Sequence, residues 1–259
     1  MTKKLILILC EPRTGSNLLC EAMESYVDLQ CINEFYLSPH INLYVKENQI
    51  PDDLPHKRLT RQQQHKLFEL LNVEDGDYFD LLVNIYKQPI DSLVGLYNTT
   101  DKTLVVKIMH KHFKDLGLDK LVELSFVEVV VLDRSNKLEE YVSHRKAIEF
   151  DKWYNADTSD LKITVDIDKF LERKHTSLAW YKQIRLMLSN KHYLELNYEK
   201  DLQQFDQDEF CKMFDSWLLK IGVDITKTKH KMKFFKKQNH SPIENSILNY
   251  NDIVNKLDA

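Results

Sequence analysis

The run Leu5-Ile-Leu-Ile-Leu-Cys-Glu-Pro-Arg-Thr-Gly-Ser-Asn-Leu-Leu constrains this chain more than any other segment. Its apolar start, residues 5–9, fits a strand buried on both faces, as found inside parallel sheets. Arg13, Thr14, Gly15, Ser16 and Asn17 then read as a tight polar turn, and the following leucines open a helix. A strand that empties through a small turn into a helix gathers backbone N–H groups at one spot, where partial positive charge accumulates. Arg13 adds a full charge and a planar fork of donors. Thr14, Ser16 and Asn17 add hydrogen-bonding side chains. The turn therefore predicts a pocket for a phosphate-like or sulfate-like group. It lacks the Gly-Lys-[Ser/Thr] ending of a nucleoside-triphosphate loop, and Gly15 alone cannot make a Gly-x-Gly-x-x-Gly fingerprint. The plain alternative is an ordinary strand-to-helix turn with a Ser or Thr cap.

Further apolar runs at 103–109, 126–132 and 192–196 read as buried parallel strands. Helical patterns occupy 17–26, 60–71, 78–87, 137–150, 167–189 and 208–221. This alternation predicts an α/β fold, a P-loop-like three-layer sandwich whose central, mainly parallel sheet is flanked by helices. Ligands of such sheets sit at the carboxyl ends of the strands. Arg13, His110 and Arg134 all follow predicted strand ends. Residues 37–64, with Pro39, Pro51 and Pro55, read as loop and short helix over the substrate side. Residues 151–161 read as an exposed loop anchored by Trp153 and Tyr154. No repeat interrupts the chain, and its 259 residues suit a single domain over 1–259.

The net charge of −4 gives no electrostatic case for nonspecific nucleic-acid binding. Basic residues must instead gather locally around an anionic ligand. No run approaches the roughly 20 apolar residues of a membrane helix. The first apolar stretch is too short for a signal peptide and lacks a cleavage site. Cys10, Cys20, Cys31 and Cys211 show neither a Cys-x-x-Cys pair nor zinc spacing, which suits reduced thiols in a cytoplasmic protein.

The run Glu-Pro-Arg-Thr-Gly-Ser-Asn-Leu-Leu resembles the 5′-phosphosulfate loop of sulfotransferases that use 3′-phosphoadenosine 5′-phosphosulfate (PAPS). The likeness is to the bacterial carbohydrate group, which includes trehalose and nodulation-type enzymes. Three later segments agree in order. Phe126-Val-Glu-Val-Val-Val-Leu-Asp-Arg-Ser-Asn-Lys-Leu-Glu-Glu-Tyr-Val-Ser resembles the element that binds the nucleotide 3′-phosphate, with Arg134 and Ser143 in the matching places. Leu194-Glu-Leu-Asn-Tyr-Glu-Lys-Asp-Leu resembles the family's Leu-x-Tyr-Glu-Asp-Leu, with Lys200 inserted. Lys236-Lys-Gln-Asn-His-Ser-Pro-Ile-Glu-Asn-Ser-Ile-Leu-Asn-Tyr resembles the closing segment of the bacterial members.

The resemblance implies an enzyme that moves a sulfuryl group from PAPS to a hydroxyl of a carbohydrate or glycolipid, without a metal. It implies that residues 13–17 hold the phosphosulfate, that Lys236 and Lys237 complete the 3′-phosphate site, and that Tyr198 packs near the adenine. Glu34, in Cys31-Ile-Asn-Glu-Phe-Tyr, matches a catalytic Glu and is the first choice of base. His110, in Lys107-Ile-Met-His, is the rival base, and Lys107 a candidate to stabilise the transferring group. His110 and His112 fall two apart on a predicted strand end, so both face one side, without a third metal ligand nearby. Arg145 and Lys146 read as surface charges. The expected partner is a small-molecule or glycan acceptor, with no membrane span, and a homodimer is compatible. Two other readings stand: a P-loop-like nucleotide kinase using Asp133 as its magnesium acid, and a non-catalytic nucleotide-binding protein of the same fold.

Overall fold

Because successive side chains of a strand point to opposite faces, an unbroken apolar strand must be covered on both sides. In the computed structural model, which describes residues 3–32, 88–153, 157–203, 207–223 and 242–257, β1 (Leu5–Cys10) is such a strand, with every residue fully buried. It pairs in parallel with β3 (Thr103–Met109) on one side and β4 (Val127–Asp133) on the other. Two shorter edge strands complete the sheet, β2 (Leu29–Ile32) beside β3 and β5 (Leu194–Asn197) beside β4. The order is β2-β3-β1-β4-β5, parallel throughout, so the chain passes from one side of β1 to the other between β3 and β4.

The two faces have separate cores. Leu5, Leu7 and Leu9 join Leu104, Val106, Ile108, Val127, Val129 and Val131 on one face. There they meet α2 (Pro89–Thr99), through Leu93 and Leu96, and α5 (Ile167–Met187), through Trp180, Tyr181 and Ile184. Ile6, Ile8 and Cys10 turn the other way, against α1 (Ser16–Glu24) and α6 (Gln207–Lys220), which contribute Leu19, Met23, Phe214 and Trp217. A third cluster packs α4 (Lys137–Glu149) and α7 (Tyr250–Leu257) together through Tyr141, Val142 and Ile253. The expected three-layer sandwich is the observed one.

Three details differ from the sequence expectation. The edge strand β2 is unpredicted, because Leu-Gln-Cys-Ile is short and interrupted by a polar residue. Pro89 opens the unpredicted α2 at its first turn, where a missing N–H costs nothing. His110 begins a short helix, α3 (His110–Asp115), rather than ending a strand. Residues two apart on a helix do not share a face, so His110 and His112 are not a pair. Among the described residues no group of three His, Cys, Asp or Glu side chains could hold a metal, and no helix is long and apolar enough to cross a membrane. The helices expected at 60–71 and 78–87 and the loop at 37–64 lie outside the described residues.

Candidate active site

The turn after β1 is built from two residues in the left-handed region, Arg13 at φ 72° and Gly15 at φ 82°. Gly15 is there because nothing larger fits: a Cβ would lie 2.5 Å from Cδ2 and 2.8 Å from Cε2 of Tyr198. The Thr14 hydroxyl, fully buried, donates to the Glu11 carbonyl at 2.8 Å and closes the turn. Among the described residues no side chain caps the helix that follows, and its first turn holds no acidic residue. The N–H groups and partial positive charge at the start of α1 are thus left for a ligand.

One phenol bridges the ends of β1 and β4 beside this turn. β1 and β4 pair as far as Cys10 and Leu132. The next N–H, of Glu11, has lost its strand partner and donates instead to Tyr181 Oη at 3.2 Å, which itself donates to the Leu132 carbonyl at 2.7 Å. Burial keeps this phenol's pKa well above its ordinary value, reinforced by the negative charge of Asp133. It remains a donor at any ordinary pH.

Cationic side chains from separate strand ends converge here. Lys107, on β3 and 1% exposed, points to the α1 face and donates to Asn17 Oδ1 at 2.6 Å. That orientation leaves the Asn17 amide N–H groups to give. Arg13 donates from Nε to Ser143 Oγ at 2.9 Å and from a terminal nitrogen to the Trp153 carbonyl at 2.9 Å. Arg134, just past β4, donates to the Arg13 carbonyl at 3.1 Å, to Glu139 at 2.6 Å and to Glu199 at 3.2 Å. Its guanidinium also lies 4.6 Å from the centre of the Tyr198 ring. A guanidinium has five N–H groups; three are spent in this way and two remain among the described residues. Burial raises the pKa of Tyr198, with Arg134 pulling it back.

Arg13, Thr14, Gly15, Ser16, Asn17, Lys107, His110, Arg134, Ser143 and Tyr198 therefore gather at the carboxyl ends of the strands. Ser143 meets Arg13 rather than Arg134. Glu34, Lys236 and Lys237 lie outside the described residues. Asp133 is held in ion pairs with Lys137 at 2.8 Å and Arg185 at 3.2 Å. Lys146 is a correction: it is 1% exposed, not a surface charge, and donates to the Thr158 carbonyl and to Ser246 Oγ, each at 2.9 Å. Burial lowers its pKa. Of the loop expected at 151–161, Thr158 is 5% exposed, and residues 154–156, with the expected anchor Tyr154, lie outside the described residues.

Further participants have no role assigned from the sequence. Glu199 accepts from the backbone N–H groups of Ser135 and Asn136, at 2.8 and 3.3 Å, so a carboxylate of the chain itself fills the start of α4. His144 accepts from Arg173 at 2.8 Å; burial first, then the charges of Arg173, Arg13 and Arg145, push its pKa down to about 3. It is a neutral acceptor inside a cationic cluster. Glu11 contacts His110 Nδ1 at 2.9 Å, and the His110 ring stacks on Trp180 with centroids 4.6 Å apart. Glu199 lies in the Tyr-Glu-Lys-Asp-Leu segment and Glu11 opens the Glu-Pro-Arg-Thr-Gly-Ser-Asn run, but neither pattern gives them a role.

No protein-family model and no curated protein matches the sequence. Solved structures do. The sulfotransferase domain from the curacin biosynthetic pathway matches with a TM-score of 0.56 at 16% identity, over 95% of this chain and 82% of that one. The sulfotransferase domain from the Synechococcus PCC 7002 olefin synthase matches with a TM-score of 0.52 at 15% identity, over 86% of this chain and 75% of that one. The fold is thus the α/β sandwich of sulfotransferase domains.

Proposed function

We propose that this chain is a PAPS-dependent sulfotransferase that places a sulfuryl group on a hydroxyl of a carbohydrate or glycolipid. The observation that carries the reading is the meeting of Arg13, Lys107 and Arg134, from three strand ends, around the uncapped start of α1. Two guanidinium groups on separate elements suit a ligand with two separate anionic groups, such as a nucleotide with a 3′-phosphate and a 5′-phosphosulfate. The fold shared with sulfotransferase domains supports the same class. The carbohydrate class of acceptor rests on the motif resemblance. The buried cysteines, none of them in a disulfide, suit a reducing compartment such as the cytoplasm.

The residues fit this donor. Arg13, Ser16, Asn17 and Lys107 would hold its phosphosulfate end. The two unspent donors of Arg134 and the Ser143 hydroxyl would hold the 3′-phosphate, with Lys236 and Lys237, and Tyr198 would flank the nucleotide. Bound PAPS supplies the sulfuryl group: its sulfur–oxygen bond breaks with the electron pair left on the phosphate, and the acceptor oxygen takes the sulfur. Lys107, buried in low dielectric, stabilises negative charge more strongly there than it would in water. Asn17 fixes its position. Of the two bases weighed from the sequence, we assign the proton to His110, which stands at the carboxyl end of β3 with a carboxylate on Nδ1.

Incubation with PAPS and a panel of sugars and glycolipids tests the reading. Sulfated product and 3′,5′-adenosine bisphosphate should appear together, and ATP with magnesium should give no transfer. His110→Asn should lose roughly 10²–10⁴-fold in kcat, the usual contribution of a general base, and Glu34→Gln should lose far less. The reverse pattern would give the base to Glu34.

A further inference from the structure

We propose that Glu11 is a positioning residue for sulfuryl transfer, holding His110 in the Nδ1–H tautomer so that Nε2 accepts the acceptor's proton. The inference rests on the sulfotransferase reading above and adds a residue that neither the loop pattern nor the fold assigns.

Glu11 is an unexpected residue for its place. It directly follows β1, two residues ahead of Arg13, it is negative, and it is only 8% exposed. A nearly buried carboxylate needs a partner, and Glu11 has one that is 99 residues away, the His110 ring nitrogen at 2.9 Å. Its main chain is fixed from both sides: the N–H donates to Tyr181 Oη, and the carbonyl accepts from the Thr14 hydroxyl. Its backbone is therefore held at both ends, by α5 and by the turn. The imidazole is fixed as firmly. It stacks on Trp180 with an interplanar angle of 19°, and that indole is 5% exposed.

The chemistry follows from what each group can do. A carboxylate only accepts hydrogen bonds, and a neutral imidazole has one N–H and one acceptor nitrogen. A carboxylate on Nδ1 therefore puts the ring N–H there and leaves Nε2 as the acceptor. Nε2 makes no hydrogen bond among the described residues. When the acceptor hydroxyl gives its proton to Nε2, the ring becomes an imidazolium facing the Glu11 carboxylate, which offsets the new charge. The carboxylate itself takes no proton. The same division of labour operates in the Ser-His-Asp triad, where the acid fixes the tautomer and stabilises the imidazolium.

The test reads the tautomer directly. In the full-length protein without nucleotide, labelled with ¹⁵N-histidine and recorded at alkaline pH, the His110 signal is identified by its loss in His110→Asn. The wild type should show a single neutral tautomer, protonated at Nδ1. Glu11→Met keeps the bulk without an acceptor; it should give a mixture of tautomers and lower kcat by roughly 10²–10⁴-fold. Its affinity for 3′,5′-adenosine bisphosphate and its KM should change less than ~3-fold, which a general collapse of the site would not allow. Glu11→Gln keeps an accepting carbonyl without the charge, and its kcat should fall between the two. A wild-type His110 protonated at Nε2 overturns the proposal, and needs no variant to fold. So does a Glu11→Met protein with unchanged tautomer and unchanged kcat. A wild type with the locked tautomer that transfers no sulfuryl group overturns the sulfotransferase reading, and with it Glu11's role in transfer, while the dyad stands.

Discussion

Gly15→Ala should be strongly destabilising, for two separable reasons. The backbone at φ 82° is in the left-handed region, where a Cβ costs about 1–2 kcal/mol. The same Cβ would lie 2.5 Å from Tyr198 Cδ2 and 3.3 Å from Leu202 Cδ1, an overpacking worth about 1–3 kcal/mol. Tyr198 cannot yield freely. Arg134 lies over its ring, and Arg134 is held in turn by Glu139, Glu199 and the Arg13 carbonyl. The expected loss is therefore about 2–5 kcal/mol in urea denaturation, with weaker binding of 3′,5′-adenosine bisphosphate by calorimetry. Tyr198→Ala removes the wall. In the double mutant the steric part should vanish and the backbone part remain, so the double should be about 1–3 kcal/mol more stable than the sum of the singles predicts. Strict additivity, or a Gly15→Ala protein within ~0.5 kcal/mol of wild type, would refute the close approach on which the site's geometry rests.

Arg134→Ala should weaken binding of the bisphosphate by roughly 1.5–3 kcal/mol, the scale of a hydrogen bond to a charged group. Ser143→Ala should cost less, and unchanged binding by a folded Arg134→Ala protein would remove Arg134 from the site. Glu140, 2% exposed, has its pKa pushed up to about 7 by burial, with Lys137 partly offsetting it and the charge of Glu11 adding to it. Folding favours its protonated form, so its contribution is complete below pH ~4.5 and is lost as pH rises through ~7, an effect of about 3 kcal/mol. Glu140→Gln cannot ionise; its stability relative to wild type should rise between pH 5 and pH 8, and parallel pH curves would contradict the assignment.

What the sequence made legible follows from range. β1, β3 and β4 are central strands buried on both faces, so each is a continuous apolar run and announces itself. The turn at residues 13–17 is local, and its residues carry their chemistry on their faces. His110 is legible as a candidate base, but nothing in the sequence links it to Glu11; the parallel pairing of β1 with β3 brings their strand ends together. Tyr181 belongs to a helix read from its period, yet its work is a hydrogen-bond bridge between two strands that no helical pattern encodes. Lys146 was misread because a charged residue on a helix is usually solvated. Its burial depends on the Thr158 carbonyl, 12 residues on, and on Ser246, 100 residues on, which no helical pattern reveals.

The central claim is that the strand ends hold two separate anionic groups of one nucleotide. Isothermal calorimetry in magnesium-free buffer tests it most directly, comparing 3′,5′-adenosine bisphosphate with adenosine 5′-phosphate and ATP. The bisphosphate should bind at least ~10-fold more tightly than either, a difference of about 1.4 kcal/mol. Equal affinity for the 5′-phosphate and the bisphosphate, or tighter binding of ATP that depends on magnesium, would contradict it.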